Sequence, residues 1–179
     1  MGSSPDFATR CVPVELLLVD VDGVLTDGVI AIDDRGVETK HFHVRDGSAF
    51  ALWREAGKRS AILSGRRAPA VNHRAAELGI HPVVQGIPQK AEPFRNIIAS
   101  LGIDARQVCY IGDDLADLPV LGAVGLAVCP ADAAPEVRQA AHLVTQATGG
   151  RGVIREVVEI ILKQQGVWEN LVARYRTPA

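Results

Sequence analysis

Five short apolar runs, VELLLV (14–19), SAIL (60–63), PVVQ (82–85), VCYI (108–111) and GLAV (125–128), are separated by segments long enough for a helix. Runs of this length without polar alternation suit strands covered on both faces, the condition of a parallel sheet. Helices are expected near 48–57, 68–79, 91–101, 115–122 and 134–141, several of them followed by Gly. The alternation predicts an α/β fold, a doubly wound parallel sheet with helices on both faces. One stretch breaks the rhythm. In GVIAIDDRGVETKHFH (28–43), two β-prone arms flank a polar DDRG turn, which predicts a small β-hairpin flap. No repeat or linker divides the chain, so 1–179 reads as a single domain with a flexible arm at 1–12 and a tail at 166–179.

Open α/β sheets bind ligands outside the carboxyl ends of their strands. There the first run ends in DVDGVLTDG, with Asp20, Asp22 and then Asp27. A lone carboxylate resists leaving water, so these acids call for a partner. Ser64 ends the second run, Asp113 and Asp114 end VCYI, and Lys90 follows PVVQ, so separate segments deliver acids, a hydroxyl and a lysine to one edge. Mg²⁺ fits this donor set, because it takes oxygen ligands, one or two carboxylates and a substrate phosphate. Asp20 and Asp113 would give carboxylates to it and Asp22 its main-chain carbonyl. Asp20 is then placed as nucleophile toward phosphorus and Asp22 as the acid and base for the leaving alkoxide and attacking water. Ser64 and Lys90 would hold phosphate oxygens. Either Asp114 or Asp117 can orient Lys90 or a metal-bound water, or simply cap a helix. Asp27 reads as a turn residue.

The bulk properties narrow the partners. A net charge of −2 supplies no basic excess for nucleic acid. No apolar run reaches the length of a membrane span, and the N-terminus lacks the apolar core of a secretory signal. Cys11, Cys109 and Cys129 lack zinc spacing, and Cys109 and Cys129, in apolar runs, read as buried free thiols in a reducing cytoplasm.

DVDGVLTDG, ILSGR, Lys90 and IGDDLADLP resemble, in order, the four motifs of the haloacid-dehalogenase-like phosphohydrolases. HVRDGSAF, LSGRRA, VVQGIPQK, GDDLADLPVLGAVGLAV and GGRGVIREVVEIIL extend the likeness, over roughly 14–165, to the 3-deoxy-D-manno-octulosonate 8-phosphate phosphatases. That resemblance implies a Mg²⁺-dependent homotetramer without a cap domain, releasing phosphate from an eight-carbon sugar acid on the route to lipopolysaccharide. It also implies substrate contacts at Asp22, at His43, Val44, Arg45, Asp46 and Gly47, and at Arg66, Arg74 and Lys90. A guanidinium fork at Arg66 or Arg74 suits the carboxylate of a sugar acid. His43 and Ala51 depart from the family pattern of Asn and Arg, which keeps a nine-carbon acid phosphate (ketodeoxynonulosonate 9-phosphate) as the alternative substrate. Outside enzymes of this class, a phosphoaspartate receiver or an inactive oligomeric relative remain alternatives, although receivers are shorter and place their acceptor later in the sheet.

The room between motifs supports the capless reading independently: 91–112 holds one helix and one strand, and 22–64 only the hairpin and one helix. A lone subunit would leave its site open to water, which weakens electrostatic catalysis, so a neighbour meeting the hairpin is expected to close it. In the tail, Trp168, Leu171, Val172 and Tyr175 form one helical stripe, which suits either the chain's own core or a neighbouring subunit.

Overall fold

Leu16–Val19 form β1, and every side chain in it is buried. Alternate residues of a strand face opposite sides, so such a strand must lie between two apolar layers. Leu17 and Val19 enter one core with Phe50, Trp53, Val157 and Ile161, while Leu16 and Leu18 enter a second with Phe94, Ile97 and Val120. The computed structural model, which describes residues 7–176, places β1 inside a six-stranded parallel sheet. Its partners are β4 (Arg59–Ser64), β5 (Val83–Gln85), β6 (Val108–Ile111), β7 (Leu126–Cys129) and β8 (Leu143–Val144), in the order β5-β4-β1-β6-β7-β8. The five expected strands are present. The sixth, β8, is two residues at the sheet edge, too short to leave a periodic signal.

The helices are α1 (Phe7–Cys11), α2 (Val44–Glu55), α3 (Pro69–Leu78), α4 (Ala91–Leu101), α5 (Leu118–Leu121), α6 (Pro135–Ala140), α7 (Val153–Gln164) and α8 (Trp168–Arg176). Two differ from expectation. α2 begins at Val44 rather than 48, because Gly47 sits inside its first turn, not before it. The segment 115–122 divides into a 3-10 turn at Leu115–Asp117 and then α5. Of the expected arm at 1–12, residues 1–6 lie outside the described residues, and 7–11 form α1 with Cys11 buried. In the tail, Trp168 and Leu171 pack into the chain's own core, while Tyr175 is exposed and donates to Glu55 Oε1 at 3.1 Å. Cys11, Cys109 and Cys129 are buried and free.

Between β1 and β4 lie only α2 and an antiparallel ribbon of β2 (Ala31–Ile32) and β3 (Glu38–Thr39), and no cap domain intervenes. The Asp33 carboxylate sets the ribbon's turn, accepting the N–H groups of Arg35 and Val37. The ribbon forms a sheet of its own and leaves Val29, Ile30, Ile32 and Val37 exposed.

Candidate active site

β1 lies between β4 and β6 with Val19 opposite both Ile62 and Ile111, so β1 and β6 end level and β4 runs two residues further, to Ser64. The chain crosses from one side of β1 to the other between β5 and β6, which makes this end of β1 the switch point where ligands bind. Asp20 follows β1 directly, Ser64 is the last residue of β4, and Asp113 stands just past β6. Asp20, Asp22, Ser64, Arg66, Lys90 and Asp113 line one open pocket at this edge. The convergence expected from the sequence is therefore present in three dimensions.

Lys90 organises the pocket floor. Its ammonium, 2% exposed, lies 2.7 Å from Asp20 Oδ2 and 2.6 Å from Asp117 Oδ1. Burial works against that charge, but Asp20 and Asp117 outweigh it and hold Lys90 above the usual lysine pKa. Asp117 resolves the choice left open between capping and orienting by doing both. Its Oδ1 accepts from Lys90 and from the Tyr110 hydroxyl at 2.6 Å, and its Oδ2 accepts the N–H groups of Asp113 and Asp114. The loop can wrap the carboxylate this closely only because residue 112 is Gly, since a Cβ there would stand 2.5 Å from Asp117 Cγ. Asp114 instead accepts from Leu115 N–H in the 3-10 turn. Asp27 is a turn residue, accepting from Val29 N–H and pairing with Arg151.

The acids are crowded in the way a cation site requires. Asp20, Asp113 and Asp117 can bring one carboxylate oxygen each within 4.8 Å of one another. Burial pushes Asp20 up to about 6 against the pull of Lys90, with the Asp117 charge adding to the rise. Burial and then the charges of Asp20 and Asp117 push Asp113 up to about 8. Asp113 Oδ1 is buried without a hydrogen-bond partner, whereas both Asp117 oxygens are taken. The orphaned oxygen and the raised carboxyls fit a divalent cation held by Asp20 and Asp113, with Asp117 behind it. Gly23 (φ +81°) makes room for Asp113, because its Cβ would fall 2.0 Å from Asp113 Oδ2.

Asp22 lies on the rim, paired with Lys40 and 3.5 Å from Arg66 Nε. Lys40 also pairs with Glu38, and Arg66 Nη2 donates to Glu38 at 2.9 Å. Glu38, Lys40, Tyr110 and Asp117 give the site much of its order, yet neither Glu38, Lys40 nor Tyr110 stands out in the sequence. The one available signal was their position: β3 follows the Asp22 loop, and Tyr110 is the sole polar residue in a buried strand.

The remaining expected substrate contacts lie elsewhere within one chain. Arg74, His43, Asp46 and Gly47 border a separate apolar cavity with Phe42, Phe50 and Val71. Asp46 accepts N–H groups of Gly152 and Arg155 at the start of α7, and Arg74 pairs with Glu77 at 2.7 Å. Val44 and Arg45 are exposed on the first turn of α2. Ala51 borders a groove with Trp168, Val172 and Tyr175, apart from the acids.

Residues 83–157 match the family of haloacid dehalogenase-like hydrolases. The chain is 43% identical over 165 residues to the 3-deoxy-D-manno-octulosonate 8-phosphate phosphatase of Yersinia pestis, covering 92% of this chain and 88% of that protein. A probable phosphatase from Pseudomonas syringae superposes with a TM-score of 0.94 at 40% identity, covering 96% of this chain and 98% of the other. The 3-deoxy-D-manno-octulosonate 8-phosphate phosphatase of Moraxella catarrhalis, solved with a magnesium ion, a phosphate ion and a KDO molecule, gives 0.92 at 35% identity, covering 94% and 97%.

Proposed function

Since this chain belongs to the 3-deoxy-D-manno-octulosonate 8-phosphate phosphatases of the haloacid dehalogenase-like hydrolases, we propose that it converts that ester to the free sugar acid and phosphate. The observation that carries the reading is the pocket at the end of β1, where Asp20, Asp113, Lys90 and Ser64 meet beside Arg66. The cytoplasm, on the route to lipopolysaccharide, is the proposed setting.

The Asp20 carboxylate attacks phosphorus, the bond from phosphorus to the sugar oxygen breaks, and an aspartyl-phosphate forms. Asp22, on the rim, donates its proton to the departing alkoxide. In the second half Asp22 takes a proton from water, which attacks the same phosphorus and frees Asp20. Lys90, fixed by Asp117, and Ser64, 2% exposed at the end of β4, hold the phosphoryl oxygens as charge shifts among them. Asp20, Asp113 and the main-chain carbonyl of Asp22 would hold Mg²⁺, whose positive charge would let the crowded carboxylates ionise beside a phosphate. Arg66 is the cation placed to pair with the sugar-acid carboxylate.

The assembly proposed is a homotetramer in which the ribbons of β2 and β3 meet. The exposed Val29, Ile30, Ile32 and Val37 support it, as does a pocket that no cap covers. In such an assembly the segment His43–Gly47 and Arg74 would contribute from the interface side.

The test is phosphate release from a panel of eight- and nine-carbon acid phosphates and plain sugar phosphates, with Mg²⁺ and with chelator. The eight-carbon ester is expected to lead in kcat/KM, only with metal. A nine-carbon ester in the lead, or equal rates on plain sugar phosphates, would contradict the assignment.

A further inference from the structure

β3 and the residue after it carry two charges onto the pocket rim. The Lys40 side chain, 3% exposed, is paired with Asp22 on one side and with Glu38 Oε1, at 2.8 Å, on the other. Glu38 Oε2 accepts from Arg66 Nη2 at 2.9 Å, and Arg66 Nε stands 3.5 Å from Asp22 Oδ2. Four side chains thus close a ring in which carboxyl groups and cations alternate. Its two cations are unequal, for Lys40 is withdrawn from water and the Arg66 side chain is 45% exposed. Lys90 is enclosed between Asp20 and Asp117. With Lys90 assigned to the phosphoryl oxygens, Arg66 is the cation of this pocket left for a second anionic group of the substrate, and Glu38 already occupies one edge of its guanidinium.

We propose that Glu38 stands, in the free enzyme, where the substrate carboxylate binds on Arg66, so that binding exchanges one carboxylate for another. The inference rests on the substrate being a sugar-acid phosphate. Two carboxylates cannot share one edge of a guanidinium without repulsion, and the pocket already gathers Asp20, Asp22, Asp113, Asp114 and Asp117. Glu38 can give way because β2 and β3 form a ribbon outside the main sheet's hydrogen-bond ladder. Lys40 keeps its hold on Asp22 meanwhile, so the acid–base group is not released with the arginine. Self-competition of this kind lowers the apparent affinity for acidic substrates by the fraction of molecules in which Arg66 is engaged. Phosphate esters without a carboxylate escape it. Glu38 is thereby a specificity residue that never needs to touch phosphate.

Glu38→Gln keeps the side-chain shape and removes the charge. Its KM for 3-deoxy-D-manno-octulosonate 8-phosphate is expected to fall about two- to fivefold, the range of a half-exposed ion pair, with KM for ribose 5-phosphate unchanged. In an Arg66→Ala background the same substitution should move neither constant. Glu38→Asp, which shortens the reach to Arg66 but keeps a charge near Lys40, should act in the same direction and covers the case of a Gln variant that melts early. An unchanged or higher KM for the acid, or an equal shift on both substrates, overturns the exchange. A parent enzyme that does not favour the acid over ribose 5-phosphate overturns the substrate reading, and this inference with it. A parent that favours the acid, with a Glu38→Gln variant that does not tighten, overturns the exchange alone.

Discussion

Asp117 holds Lys90 by a buried 2.6 Å ion pair, and the same carboxylate accepts from Tyr110 and from two backbone N–H groups. One side chain therefore fixes both Lys90, proposed to hold the phosphate, and the loop that carries Asp113. Asp117→Ala should lower stability by about 3–5 kcal/mol, the cost of breaking a buried pair. Asp117→Asn keeps the size but weakens the hold on Lys90, and kcat should fall roughly tenfold to a hundredfold with a smaller loss of stability. Urea unfolding and steady-state rates on the two variants check both numbers.

Gly23→Ala asks for a Cβ where the Asp113 carboxylate lies, at a backbone angle of +81°. Asp113 must move, and displacing a catalytic group by about 1 Å costs on the order of a hundredfold. Activity should drop by that order while the far-ultraviolet dichroism of the sheet is retained. A rate within twofold of the parent would show that Asp113 has freedom the structure denies it.

Asp113→Asn should abolish turnover and yet stabilise the metal-free protein. The Asp113 carboxyl, raised to about 8 by burial and by Asp20, holds its proton more tightly when folded. The fold is therefore favoured at low pH and loses stability as pH climbs from the ordinary carboxylate range through about 8. An amide removes that loss, so at pH 8 without metal the melting temperature should rise on the order of 2–8 °C. Adding Mg²⁺ should raise the parent's melting temperature and leave the variant's unchanged. Differential scanning calorimetry with and without chelator measures all four cases.

Ile32→Glu places a charge on the exposed apolar face of the ribbon, 61% exposed in one chain. In the proposed assembly, where ribbons meet between subunits, light scattering should show dissociation to smaller species, with a loss of activity of about tenfold or more as the pocket opens to water. A fully active tetramer with Glu at this position would contradict the ribbon as the contact.

The sheet was legible because its strands are buried on both faces: LLLV and VCYI carry no polar alternation, and a parallel sheet is the fold that covers both sides. The acids were legible for the opposite reason, since carboxylates at the end of such strands demand a partner. β8 escaped because two residues have no period, and the start of α2 escaped because Gly47 looks like a break when its neighbour Asp46 is tied to α7. The ring of Glu38, Lys40, Asp22 and Arg66 escaped because ion pairs between a ribbon and a strand-end loop depend on how the ribbon folds over, which spacing along the chain does not encode. Arg66 and Arg74 look alike in sequence, but within one chain only Arg66 lines the pocket.

Asp20, seated beside Lys90 and within the cluster of Asp113 and Asp117, is proposed to carry phosphoryl transfer from 3-deoxy-D-manno-octulosonate 8-phosphate. Phosphate release from that ester with Mg²⁺, by the parent and by Asp20→Asn, measures this role. The parent is expected to turn over many times, and the variant, folded like the parent, to release no phosphate above the uncatalysed background. An Asp20→Asn rate within tenfold of the parent would rule out Asp20 as the nucleophile, and a parent that releases no phosphate from this ester would rule out the substrate.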